Sequence, residues 1–369
     1  MAAWAPLVPY ARLRTGVEQG TLGLLLLALG IGSLVAMPVT GTLAGRFGCR
    51  PVIMLSGLGC CVALPLLALA PTATSLALAL FLFGAALGTL DVAMNIQAVV
   101  IEKEHGGALM SGFHGMFSVG GIAGALGMTC MLWAGAGVAL AACTMAGLVA
   151  LVLLAAAPNL LGTRAAPARH GPLMALPRGA VVVIGVLCGL VFLAEGAVLD
   201  WSAVFLTSGG AFSQAQGGLG YAAFAGAMTV GRLSGDRIVQ RWGGKLVVMV
   251  GGAAAALGFV ATVLAPSPWL ALLGFVLVGL GASNVVPVLF SAAGRQHDMP
   301  ASAAISAVTT IGYAGILAGP ALIGLVAHAS SLHYAFLGLA GAMLVVAFNA
   351  DTTGGQSDSG REQNCDREC

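Results

Sequence analysis

PVIMLSGLGCCVALPLLALAPTATSLALALFLFGAALGTL, residues 51–90, runs for 40 residues without one Asp, Glu, Lys or Arg. A helix crossing a bilayer needs about 20 consecutive apolar residues, so this run holds two crossings. Ala70-Pro-Thr-Ala-Thr-Ser75, at its middle, carries the proline and small polar residues of a tight turn. The same reading extends outward in the chain, because 105–163, 246–294 and 299–350 are also free of charge. Trp133-Ala-Gly-Ala-Gly137 divides the first of these and Ala265-Pro-Ser-Pro268 the second. Only 8% of the 369 residues are charged, whereas a soluble domain uses about 25% to cover its surface. Lipid is therefore the solvent for most of the chain.

Charge gaps and turn residues place spans at 21–44, 51–70, 75–101, 113–133, 137–157, 180–206, 217–233, 246–264, 269–291, 302–327 and 333–350, eleven complete crossings. Residues 1–9 read as the outer end of one more helix whose beginning is missing. The expectation is an all-α membrane protein on a twelve-helix plan with a truncated first helix. Loops rich in Lys and Arg stay in the cytoplasm. With the 44/51 turn inside, Arg46, Arg50, Lys103, Arg164, Arg169, Arg178, Arg232, Arg237, Arg241, Lys245 and Arg295 fall in cytoplasmic loops, and only Arg12 and Arg14 outside. Residues 158–179 break the pattern with prolines and charge and form the linker between an N-terminal bundle, 1–157, and a C-terminal bundle, 180–350. The polar residues 351–369 are expected to be a disordered cytoplasmic tail.

Several function classes drop out. The net charge is +2 and no Lys/Arg cluster is interleaved with aromatics, so nucleic acid is not a partner. Cys60, Cys61, Cys130, Cys143 and Cys188 lie inside spans, where a thiol acts as a small apolar side chain, and no C-x-x-C or zinc-type spacing points to a metal. Metalloprotease, nucleophile-elbow and phosphate-loop signatures are missing, and Gly244-Lys245-Leu246 fails the last of these at its final position. The chain is read as neither an enzyme nor the holder of a cofactor.

The two halves repeat one another. Gly41-x-x-x-Gly45-Arg46 has a counterpart in Gly231-x-x-x-Gly235-Asp236-Arg237. Gly88-x-x-Asp91 matches Gly281-x-x-Asn284 at an offset of 193, and Gly120-x-x-x-Gly124 matches Gly315-x-x-x-Gly319 at 195. Transporters are often built from such duplicated units. These features resemble the major facilitator superfamily, whose fold is two six-helix bundles related by a pseudo-two-fold axis along the membrane normal. Its motif G-x-L-A-D-R-x-G-R-R appears as Gly41-Thr-Leu-Ala-Gly45-Arg46-Phe-Gly48-Cys49-Arg50, with Gly45 in the Asp position and Cys49 in an Arg position. The second-half version, Gly231-Arg232-Leu-Ser-Gly235-Asp236-Arg237 with Lys245 beyond, keeps its acid, and Gly315-x-x-x-Gly319-Pro320 is similar to a packing motif of the family. Asp91-Val-Ala-Met-Asn95 and Glu195-Gly-Ala-Val-Leu-Asp200-Trp201-Ser resemble a bacterial inner-membrane branch near the fucose permeases. Branch members begin with a full first helix, so a misplaced start or a fragment would account for the short one here. The resemblance implies a cytoplasmic gate of Gly41, Arg46, Arg50, Gly231, Asp236, Arg237 and Arg241. Asp236, Arg237 and Arg241 would cluster in one loop and form ion pairs that stabilise an outward-facing state.

Three acids interrupt the spans: Asp91, Glu195 and Asp200. An ionised carboxylate at a helix centre costs about 3 kcal/mol on insertion scales, so such groups face water, hold a partner or bind a proton. Asp91 and Asn95 are four apart and share a helix face. Glu195 lies near the midpoint of 180–206, while Asp200 sits six residues from the outer end, where either a transport role or simple access to water accounts for it. Trp201 can stack on a sugar ring or anchor at the boundary. His114 reads as an interfacial histidine solvated by headgroups. By the resemblance, helices 1, 4, 7 and 10 line a central cavity, which makes Asp91, Asn95, Glu195, Asp200, Trp201 and Asn284 the candidates for solute and proton. A carboxyl held near neutrality by burial can load and release a proton on each side in turn.

The reading is a monomeric secondary transporter in the bacterial inner membrane, working by alternating access as a proton symporter of a small polar solute. An antiporting exporter of drugs or metabolites would use the same acids. A degenerate, non-transporting relative is the reading from another class, suggested by the short first helix and by Gly45.

Overall fold

Lipid offers no hydrogen bonds, so backbone groups must be satisfied within the protein, and apolar runs of about 20 residues do so as helices. The computed structural model describes residues 2–162, 176–208, 212 and 216–353. The middle of the linker, with Arg164 and Arg169, and the tail beyond 353 lie outside the described residues. Among the described residues there is no strand. A short 3-10 turn, Ala2–Leu7, leads into α1 (Val8–Thr15), followed by α2 (Gln19–Phe47), α3 (Cys49–Leu69), α4 (Ala73–His105), α5 (Met110–Trp133) and α6 (Val138–Ala156). Then come α7 (Ala180–Ser208), α8 (Leu219–Leu264), α9 (Pro268–Ala282), α10 (Val285–Arg295), α11 (Ala301–Ala329) and α12 (Leu332–Phe348).

The helix α8 is two crossings joined at Gly243, whose φ of 76° lies in the left-handed region that only glycine enters freely. Gly48, φ 88°, makes the same one-residue turn between α2 and α3. With the arms of α8 taken separately and α9 taken with α10, the described residues contain eleven apolar helices, α12 being the shortest at 17 residues. Each turn glycine follows an arginine and an aromatic, and the guanidinium lies over that ring, Arg46 on Phe47 at 5.4 Å and Arg241 on Trp242 at 5.8 Å. The turns are 195 residues apart, whereas Gly41 and Gly231 are 190 apart. The second-half helix therefore runs five residues further before it turns. This corrects the expected loop: Arg232, Asp236, Arg237 and Arg241 all lie within helical α8.

Two compact units are present, one of Met1–Val100, Met116–Leu176 and Ser302–Thr310, the other of Ile101–Gly115, Pro177–Ala301 and Ile311–Cys369. In the first, Trp4, Leu7 and Ala11 pack with Leu64, Leu67, Leu80, Phe83, Met128 and Met145 in one core. Arg14 donates to Leu67 O at 2.9 Å, to Ala70 O at 2.8 Å and to Ala68 O. It thus satisfies the orphan carbonyls at the end of α3 and complements the negative pole of that helix. Small residues let α2 and α4 meet backbone to backbone: a Cβ on Gly84 would stand 1.9 Å from Leu29 O, and one on Gly32 2.1 Å from Phe81 O. Ser33 Oγ donates to Gly84 O at 2.8 Å across the same crossing. Gly41 of α2 lies against the first two turns of α11, where Ser306 Oγ donates to Met37 O at 2.5 Å and a Cβ on Gly41 would stand 2.6 Å from Ser302 O.

In the second unit the two arms of α8 pack with α9 and α12, and Phe259, Phe275 and Phe336 fill the centre. Leu55, Val62, Leu66, Leu151, Val152 and Leu264 are exposed, which is the surface that lipid requires.

Candidate functional site

Proline 287 determines the local chemistry of the second unit. Its ring has no N–H, so the carbonyl four residues earlier, Ser283 O, loses its helical partner. The helix is interrupted there, α9 ending at Ala282 and α10 starting at Val285. Arg232 of α8 donates through Nε to Ser283 O at 3.4 Å, and its Nη2 reaches Glu195 Oε1 of α7, also at 3.4 Å. The guanidinium is thus held between a freed backbone carbonyl and a carboxylate. Among the described residues Arg232 is the one charged side chain in the buried class, at 7% exposure. A charge leaves water only when it is paired and hydrogen-bonded, so neither member of this pair is tolerated alone at this depth.

Asn284 occupies the break itself, buried at 6% exposure. Its Nδ2 donates to Gly231 O and to Ser283 Oγ, each at 3.1 Å. The helices come close because Gly231 and Gly235 have no side chains: a Cβ on Gly235 would stand 1.8 Å from Asn284 Oδ1, and one on Gly231 2.4 Å from Ser283 Oγ. His114 of α5 faces the same region, its ring 5.7 Å from that of Phe290 and its Nε2 buried. The expected headgroup-solvated histidine is corrected accordingly, since α5 packs this ring inward against α10.

In the first unit, Asn95 Nδ2 donates to Asp91 O at 2.9 Å and to Asp91 Oδ1 at 3.4 Å. Asn95 is buried and Asp91 half-buried, so the four-residue spacing does join them. Asp200 is exposed, five residues along α7 from Glu195, and is not part of the Glu195–Arg232 arrangement. Trp201 is half-buried with its indole Nε1 enclosed, and its ring would stand 3.2 Å from a Cβ on Gly324 of α11.

Of the gate residues, Gly41 is in close contact with α11, as described above. Arg46, Arg50, Arg237 and Arg241 are exposed. Asp236 differs from the expectation of an ion pair with Arg237 or Arg241, because its Oδ2 accepts from Gly112 N–H at 2.9 Å, at the start of α5. A helix N-terminus offers unpaired N–H groups and a positive pole, which suit a carboxylate as well as an arginine does. Glu102 stands beside it, unforeseen from sequence. Its Oε2 accepts from Leu109 N–H at 2.9 Å and Met110 N–H at 2.8 Å, and its Oε1 lies 3.9 Å from Arg295 Nη1. Gln240 Nε2 adds a bond to Ala108 O at 3.1 Å. Segment 101–115 is in this way tied to α8 and α10 within one unit.

The sequence reading also missed Arg232 as the partner of Glu195. Two signals pointed to it: a proline four residues after Ser283, which frees a carbonyl in mid-span, and an arginine among glycines on an otherwise close-packing helix face.

Residues 1–302 match the family described as Major Facilitator Superfamily. The chain belongs to the major facilitator superfamily. It is 54% identical over 350 residues, 95% of its length and 91% of the other, to an uncharacterized MFS-type transporter of Yersinia pestis. It is 35% identical to an uncharacterized transporter of Sinorhizobium fredii, covering 94% of this chain and 93% of that one. Among solved structures, the fucose:proton symporter of Escherichia coli superposes with a TM-score of 0.76 at 15% identity, covering 96% of each chain, and so shares the fold. The protein is a multi-pass membrane transporter of this superfamily and not an enzyme.

Proposed function

We propose that the protein is a proton-coupled symporter of a small polar solute in the bacterial inner membrane, working by alternating access with its C-terminus in the cytoplasm. The observation that carries the proposal is the Glu195–Arg232 pair, in the interior of the second unit beside the α9–α10 break. A carboxylate with a fixed cation beside it can exchange that cation for a proton, and each exchange changes the charge that the interior must accommodate. Asp91 with Asn95 on α4 is the second acid proposed for coupling or for solute hydroxyls. The relatedness in fold to a fucose:proton symporter supports the class of mechanism without extending to its substrate.

The test is ΔpH-driven uptake into proteoliposomes, using a solute found by growth screening or by thermal shift against sugars and organic acids. Either Glu195→Gln or Asp91→Asn is expected to abolish accumulation against a gradient while leaving exchange of solute across the membrane measurable. Full gradient-driven accumulation by both variants would overturn the proposal.

A further inference from the structure

We propose that the second unit binds a monovalent cation, sodium, between the start of α5, the first arm of α8 and the α9–α10 break, with Asp236 Oδ1, Ser111 Oγ and Asn284 Oδ1 as its protein ligands. The site is distinct from the Glu195–Arg232 pair, and its occupancy does not depend on which ion drives transport.

The three oxygens are enclosed, and none has a hydrogen-bond partner among the described residues. They come from three elements that a glycine brings together. At Gly235 a Cβ would stand 1.8 Å from Asn284 Oδ1 and 2.6 Å from Ser111 Cβ, so the amide oxygen and the serine border the same small space beside α8. Asp236, the next residue along α8, reaches the residue that follows Ser111: its Oδ2 accepts from Gly112 N–H at 2.9 Å, which leaves Oδ1 over. Ser111 is 1% exposed and Asn284 6%. Buried oxygens of this kind are nearly always satisfied, by the protein or by something bound to it.

The nature of the occupant follows from protons and charge. A serine hydroxyl brings one proton, whereas an ionised carboxylate oxygen and an amide oxygen bring none, so the three cannot satisfy one another. The occupant must present donors or positive charge. Water presents donors, but the charge balance favours a cation. Asp236 forms no ion pair among the described residues, and Glu102, the carboxylate that accepts from Leu109 and Met110, stands within electrostatic range of it. The neighbouring guanidinium groups are directed elsewhere, Arg232 to Glu195 and Ser283 O, and Arg295 to Glu102. One carboxylate with two neutral oxygens balances a single positive charge. Calcium calls for six to eight oxygens, commonly from several carboxylates, and among the described residues no three His, Cys, Asp or Glu side chains cluster as a transition metal would need. Carboxylate, amide and hydroxyl oxygens suit a hard cation, with water in the remaining positions.

The ligands lie on α5, on α8 and at the α9–α10 break, so the ion binds the arrangement in which these elements meet and stabilises it by mass action. It reinforces the hydrogen bonds that Glu102 and Asp236 make to the start of α5.

The experiment uses the purified full-length protein in detergent, with thermal unfolding followed as sodium chloride replaces choline chloride at constant ionic strength, and with potassium chloride as a third salt. The wild type is expected to melt about 2–4 °C higher at saturating sodium, with potassium at least tenfold weaker. Equilibrium dialysis against radioactive sodium should show a single ion per chain. Ser111→Ala removes one ligand together with a buried unpartnered hydroxyl, so it should melt with the wild type in choline yet bind sodium at least tenfold more weakly. Asp236→Asn keeps an oxygen for Gly112 N–H while removing the charge, and should lose the saturable response to sodium altogether, its melting in choline reporting separately on its folding. Equal shifts in sodium, potassium and choline would overturn the proposal and leave water as the occupant. Sodium stabilisation that survives both substitutions would overturn the assignment to these oxygens.

Discussion

At the scale of single residues, the absence of a side chain decides as much as its chemistry. Gly235 accommodates Asn284 and Gly231 accommodates Ser283, and these contacts hold the carbonyl of Ser283 where Arg232 can reach it. Gly235→Ala would place a Cβ 1.8 Å from Asn284 Oδ1 and 2.6 Å from Ser111 Cβ. The helices would have to separate, at a cost of about 2–3 kcal/mol. Gly226→Ala on the same helix meets nothing within 4 Å, and replacing a mid-helix glycine there should stabilise by about 0.5–1 kcal/mol. Thermal unfolding in detergent should therefore move in opposite directions for the two variants, and equal shifts would contradict the packing described. At this scale the sequence was only partly readable. The 3.6-residue period placed Asp91 beside Asn95, because both belong to one helix. The same rule is silent on Arg232 and Glu195, which lie 37 residues apart on different helices.

At the scale of elements, the start of α5 shows how a helix terminus can serve as a clasp. Four N–H groups at a helix start lack helical partners, and here Glu102 and Asp236 take those of Leu109, Met110 and Gly112. Glu102→Gln keeps an oxygen that accepts these bonds but removes the charge, and with it the attraction to Arg295 and to the positive pole of α5. A loss of about 1 kcal/mol is expected. Hydrogen exchange at residues 109–112 should quicken several-fold, with little change in α12, and unchanged exchange at 109–112 would show that the charge is immaterial. The spans themselves were legible as elements, since helix is the one way such charge-free runs satisfy their backbones in lipid. Helix ends were less so. The span ending at 233 in fact continues to the turn at Gly243, because a glycine able to reverse the chain, and not the first arginine, ends it.

At the scale of the whole molecule, the distribution of basic residues predicts the side on which each connection lies. A fluorescent protein that matures only in the cytoplasm, fused after Thr353, is expected to glow, and a periplasmic phosphatase at the same position to stay inactive. The reverse pair of results would invert the topology and every inside assignment with it.

The sequence by itself determined the solvent and the number of apolar helices, because both follow from the presence or absence of charge along one chain. It did not determine which charges are internal. Charge patterning treats any arginine as a sign of water, so Arg232 read as part of a loop. Only the tertiary structure supplied the compensation, a carboxylate from α7 and a carbonyl freed by Pro287, which makes a buried cation tolerable. That compensation depends on the rotation and register of three helices against one another, and helical periodicity within any one of them carries no information about either.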